Sequence, residues 1–172
     1  LAEPSKKAYF IQMIFDINTS LDIEVFKKSV SMIYRRHDVF RTHFNNTDAN
    51  LPIQIVLVNN PEEIAINDVS GMPPDSSDQY ITEYLSKDRG KGFDILGNIL
   101  VRMAIIKTGS SQYKIIWSFH HIIIDGWCLN IILKELCETY NCLINNKEPG
   151  LPKSYKYKNY IQWLYRQNKQ EA

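Results

Sequence analysis

The sequence is poor in cysteine, nearly neutral, and without an apolar run fit to cross a bilayer. Its three cysteines, Cys128, Cys137 and Cys142, form an odd set with no CxxC spacing. That fits neither a disulfide framework nor a zinc site, and a reduced cytoplasmic setting is expected. Lys and Arg total 20 against 19 Asp and Glu, a balance of +1. Such a balance argues for neither nucleic acid nor an anionic membrane as partner. The most apolar window, Ile115 to Leu133, holds His120, His121, Asp125 and Gly126 at its middle. Those groups are costly in lipid, so no spanning helix is expected. The opening LAEPSKKAYF has neither an initiator Met nor a signal peptide, and the chain is expected to be part of a longer one. It contains no internal repeat and no low-complexity segment.

What is present suits one globular domain, or one lobe of a larger protein. The chain has 172 residues, 44% of them hydrophobic and 23% charged. YFIQMIFDI (9–17) reads as a strand, being rich in aromatic and β-branched residues. Asp22 is a good N-cap for a helix ending near His37, with Ile23, Phe26, Val30 and Ile33 on one face. Leu21 and Phe26 are spaced for a hydrophobic staple. FRTHF and PIQIVLV read as a strand pair joined by NNTDAN, and EIAINDV as a further short strand. After the loop GMPPDSSD a helix is expected near 76–88, capped by Asp75 or Ser76. ILVRMAIIK and YKIIWSFHH form a hairpin across TGSSQ. From Gly126 to about Ile144 the apolar positions recur at helical spacing. YKYKNYIQWLYRQ closes the chain as a short helix. Hairpins set between helices predict an α+β fold with a mixed sheet rather than a doubly wound parallel one.

The stretch SFHHIIIDGWCLN (118–130) concentrates the chemistry. Adjacent strand residues point to opposite faces, so His120 and His121 are poorly placed to share a metal. A third ligand is missing nearby, and no metal is expected. The bland alternative is a strand end with one histidine in the core and one in solvent. Against it, the pair ends a long apolar strand, where sites in α/β proteins often lie. Asp125-Gly126-Trp127 then opens a helix whose N-terminus offers free amides and a positive dipole end. Gly126 is expected to permit a tight turn. A histidine, a structural carboxylate and free amides are the parts that acyl transfer needs.

His120-His121-Ile122-Ile123-Ile124-Asp125-Gly126 resembles the HHxxxDG signature of condensation domains of nonribosomal peptide synthetases. These belong to the chloramphenicol acetyltransferase-like superfamily. RRHDVFRTHF (35–44) is similar to the family's RHExLRTxF, with Asp38 for Glu and Phe40 for Leu. FDILGNILVRM (93–103) is similar to FDLxxxPLxR, with Ile99 where proline is usual. YKNYIQWL (157–164) is similar to YxDFAxW, with Asn159 for Asp. The segments occur in family order along the whole chain. The family's first motif and the second half of its domain have no counterpart here.

The resemblance implies a chloramphenicol acetyltransferase-like sandwich, one lobe of a V-shaped pseudodimer, with residues 1–172 as the N-terminal lobe. It implies His121 as the catalytic histidine and His120 as a supporting residue. It implies a structural Asp125 paired with Arg41, and Gly126 with its amide toward the reacting centre. Trp127, completing DGW, favours a condensation over an epimerization domain, and the paired histidines argue against heterocyclization. Cys128 reads as a small helix residue. The implied reaction is attack of a carrier-bound aminoacyl amine on a carrier-bound acyl or peptidyl thioester. No cofactor binds directly; 4'-phosphopantetheine arms of carrier proteins present the substrates. The implied partners are upstream and downstream peptidyl carrier proteins, an adjacent adenylation domain and the chain's own C-terminal lobe, in a bacterial cytoplasm. The isolated lobe is expected to be inactive. The alternatives are a stand-alone coenzyme A-dependent acyltransferase and a non-catalytic lobe that docks carrier proteins.

Overall fold

The computed structural model describes residues 9–45, 53–58, 64–96 and 100–167. Strand β1 (Phe10–Ile17) leads to helix α1 (Ile23–Arg36), a 3-10 turn (Asp38–Arg41), and strands β2 (Thr42–Asn45), β3 (Ile53–Val56) and β4 (Ile64–Asp68). Helix α2 (Pro74–Lys91), strands β5 (Val101–Gly109) and β6 (Gln112–His120), and helices α3 (Gly126–Ile144) and α4 (Tyr157–Gln167) follow. The main sheet has the order β1-β6-β5-β4. Its pairings are antiparallel except β4 with β5, so the sheet is mixed and the fold is α+β.

The order places β5 and β6 inside the sheet, and their sequences show why. Both are apolar on both faces, the pattern of a strand covered on two sides. On one face Tyr113, Ile115, Trp117 and Phe119 of β6 and Met103 and Ile105 of β5 join the core under α1 and α3. On the other, Ile116, Ala104 and Ile106 pack under α2 with Ile81. Ile105 and Ile106 are both fully buried, one on each face. Charge is admitted on the α2 side only where it is matched. Asp88 of α2 meets Arg102 of β5 at 2.8 Å and accepts from Gln12 of β1 and Ser118 of β6.

α1 begins as expected. The Asp22 side chain accepts from the Val25 amide at 3.0 Å, and Phe26, Val30 and Ile33 are buried. The chain then departs from an immediate strand. Phe40 and Arg41 sit in the 3-10 turn, and the strand starts at Thr42. The cause is Phe40, which is buried, stacks on Tyr34 with ring centroids 4.4 Å apart and reaches Trp117. Burying that ring holds the turn against the sheet. The turn expected at NNTDAN lies, past Asn45, outside the described residues.

Two boundaries differ from the sequence reading. α2 starts at Pro74, with Pro73 at the cap position and no side-chain cap from Asp75 or Ser76. Proline at the first helical position has its φ preset and no amide to satisfy, so the helix starts without a capping side chain. The β5–β6 hairpin is tighter than TGSSQ suggested. Both strands extend into that segment, leaving Ser110 and Ser111 as the turn, with a register shift between Lys107 and Gly109. Among the described residues no helix is long and apolar enough to cross a membrane.

Candidate active site

The end of β6 carries the histidine pair, and the backbone there is fixed on two sides. The His120 amide donates to Leu100 O at 2.9 Å, and the His121 amide donates to Tyr9 O at 2.8 Å. The side chains then part, as strand alternation requires. His120 is 4% exposed, while His121 is exposed. The His120 Nδ1 accepts from the Ile122 amide at 3.1 Å, so that nitrogen carries no proton in this arrangement. Burial first, and the neighbouring His121 second, push the His120 pKa below its ordinary value and keep the ring neutral. His120 therefore fastens the turn from which His121 projects.

His121 lines a cavity of about 390 Å³. One wall is the 3-10 turn and β2, through Val39, Thr42 and Phe44. The opposite wall is the turn after β6 and the start of α3, through Ile123, Asp125 and Cys128. Asp125 is the N-cap of α3, accepting from the Cys128 amide at 2.9 Å. That bond is the main reason its pKa falls below the usual carboxylate value; the Trp127 amide and the nearby His121 add to it. The Cys128 amide thus points at Asp125, not at free space. The Cys128 thiol is pushed up by burial and by the Asp125 carboxylate, which keeps it protonated. A protonated thiol is a poor nucleophile, in line with a plain helix residue.

Several sequence expectations change here. Arg41 does not pair with Asp125. Its guanidinium meets Asp38 at 2.7 Å and donates to the carbonyls of Tyr34, Arg35 and Leu57. The physical reason is that Asp125 is exposed and occupied as a helix cap, so it needs no buried cation. Arg41 instead ties the end of α1 and Leu57, the residue after β3, to the 3-10 turn. Gly126 does not serve a tight turn. Its φ is not in the left-handed region, and a Cβ there would meet nothing within 4 Å. Trp127 is 87% exposed and lies off the His121 cavity. Among the described residues no group of three or more His, Cys, Asp or Glu is arranged to hold a metal.

Sequence reasoning missed a second ionic group. Glu135 of α3 binds Arg36 through two hydrogen bonds and His37 Nε2 at 2.6 Å. Burial works to raise the Glu135 pKa, but the bonds to Arg36 and His37 outweigh it and hold it low. Arg36 also donates to Pro152 O, so the cluster ties α1, α3 and the segment before α4. The signal was available. Glu135 interrupts the buried stripe of Ile132, Leu136 and Thr139, where a lone carboxylate requires a partner.

A family model described as condensation domain matches residues 1–172. The chain belongs to the condensation domain family. It is 38% identical over its whole length to one of the mycosubtilin synthase proteins of Bacillus subtilis, and 38% to gramicidin S synthase 2 of Brevibacillus brevis. It spans 7% and 4% of those proteins. Its fold is that of the starter condensation domain of a rhizomide synthetase, with a TM-score of 0.83 at 16% identity, covering 93% of this chain and 40% of that one. A Streptomyces globisporus protein, SgcC5, matches with a TM-score of 0.77 at 17% identity, covering 95% of this chain and 37% of that one. This chain thus covers well under half of either solved chain.

Two outcomes test the site. Exchanging Asp125 and Arg41 for Ala singly and together should show no coupling in thermal or urea unfolding, whereas the Asp38–Arg41 pair should couple measurably. Coupling between Asp125 and Arg41 would contradict the geometry. Because the folded His120 pKa lies below 6.5, the unfolded chain takes up its proton first. Stability from neutral His120 is therefore present above pH 6.5 and lost as pH falls toward the folded value. His120→Gln should flatten this part of the stability–pH curve, followed by urea melts.

Proposed function

We propose that this chain is the N-terminal lobe of a peptide-bond-forming condensation domain, with His121 as its catalytic residue. The observation that carries the reading is the separation of the histidine pair. His120 is buried and neutral, and His121 faces a cavity beside the capped start of α3. In the reaction, the amine of a carrier-bound aminoacyl group attacks the thioester carbonyl of a carrier-bound donor. The new C–N bond forms, the C–S bond breaks, and the thiol of the donor's phosphopantetheine arm leaves. The nitrogen must lose one proton overall, and the departing sulfur must gain one. An α-amino group has a pKa of about 7.7–8.0, so a sizeable minority is neutral near pH 7. His121 then orients the amine and takes its proton as the tetrahedral intermediate forms or collapses.

Asp125 acts on this chemistry through the start of α3, by holding the Cys128 amide. Gly126, with no side chain, leaves its backbone open to an approaching thioester oxygen. The remaining lobe would cover the open side of the cavity and exclude water. Without it the isolated chain is inactive, and carrier proteins and an adenylation domain supply the substrates in the longer synthase. The great length of the bacterial synthases that this chain resembles favours carrier-bound substrates over a stand-alone coenzyme A-dependent enzyme.

In the complete domain, His121→Ala should lower dipeptidyl-carrier formation by about 10²–10⁴-fold, the usual cost of a lost general base. Intact-protein mass spectrometry of the carrier reads the yield. Near-normal yield from a folded variant would overturn the assignment.

A further inference from the structure

Beside the His121 cavity lies a second, of about 450 Å³. The two share Val39, Ile123, Cys128 and Tyr157 as walls, so one opens beside the other. The second cavity runs away from His121, between the first turns of α3 and the segment entering α4. Its further walls include Ile131, Ile132, Tyr155 and Tyr160. A concave site of several hundred cubic ångströms with aliphatic and aromatic walls suits a small apolar group.

The Asp38 and His37 side chains beside it are already committed. Asp38 is held by Arg41 at 2.7 Å, and the His37 Nε2 by Glu135 at 2.6 Å. Lys156 is exposed, where pairing with a substrate charge gains little. A charged side chain entering here would lose water without gaining a buried partner. An uncharged one would gain from leaving water.

In an aminoacyl substrate the side chain branches from the carbon joining the amine to the carbonyl. With either reactive group at His121, the side chain starts one or two bonds away, within reach of the shared walls. We propose that this second cavity receives the side chain of one amino-acid substrate and selects for an apolar or aromatic one. The inference rests on the peptide-forming reading of His121. It assigns to Ile131 and Tyr160 a role in specificity that is separate from the chemistry.

The test uses the complete condensation domain with its carrier proteins. Alanine, leucine, phenylalanine and glutamate compete as donor in one series and as acceptor in another, and mass spectrometry reads the products. In one series leucine and phenylalanine should exceed glutamate by at least about tenfold, within the range that apolar pockets reach. Ile131 is 58% exposed, so the fold should tolerate its exchange. Ile131→Trp should cut the phenylalanine-to-alanine ratio, and Ile131→Lys the leucine-to-glutamate ratio, each by about tenfold, in that same series only. Amide formation with both ratios unchanged in both variants would overturn this inference alone. A wild-type domain that forms no amide with any pair would overturn the peptide-forming reading, and the inference with it.

Discussion

The end of strand β6 is the constraint on which the site depends. Two consecutive amides, those of His120 and His121, donate to opposite neighbours: Leu100, just before β5, and Tyr9, just before β1. A strand end normally frays, because its last groups lack partners on one side. Here both sides are paired, and the strand behind is buried on both faces. A wrong register would move Trp117 and Phe119 out of the core, so packing and main-chain bonding enforce the same position. His121 inherits that position although its own side chain is exposed.

Around this fixed point the chain builds two walls, and it uses charge to brace them. Arg41 gathers carbonyls from three places and the Asp38 carboxylate, which sets the 3-10 turn. Glu135 joins α1 and α3 through Arg36 and His37. Neither cluster touches the His121 ring in the geometry described, and both set the spacing of groups that line the two cavities. Asp125 belongs to this bracing by a different route, since its carboxylate organises the first amides of α3. These polar side chains are thus largely scaffold, and the part that opens on the His121 cavity is small.

Much of this was legible in the sequence, and the exceptions have physical causes. The α3 helix was readable because its apolar stripe repeats over several turns. The strands β5 and β6 were readable because a strand covered on both sides has little room for polar residues. The separation of His120 from His121 followed from alternation alone. The Asp125–Arg41 pair was misread because pairing depends on burial, which a sequence does not display; an exposed aspartate at a helix start is satisfied by amides. The 3-10 turn was missed because one ring, Phe40, decides it by reaching Trp117, far along the chain. Glu135 was overlooked because its partners lie on another helix, a distance that periodicity within one helix does not register.

The most direct test of this account is hydrogen exchange at the amides of His120 and His121, followed residue by residue by NMR in the folded chain. Both should be protected to nearly the same degree as the central amides of β6, with protection falling away beyond the turn that follows. Rapid exchange at His121, with His120 still protected, would show that its backbone is not held to β1. The strand end would then not be what places His121.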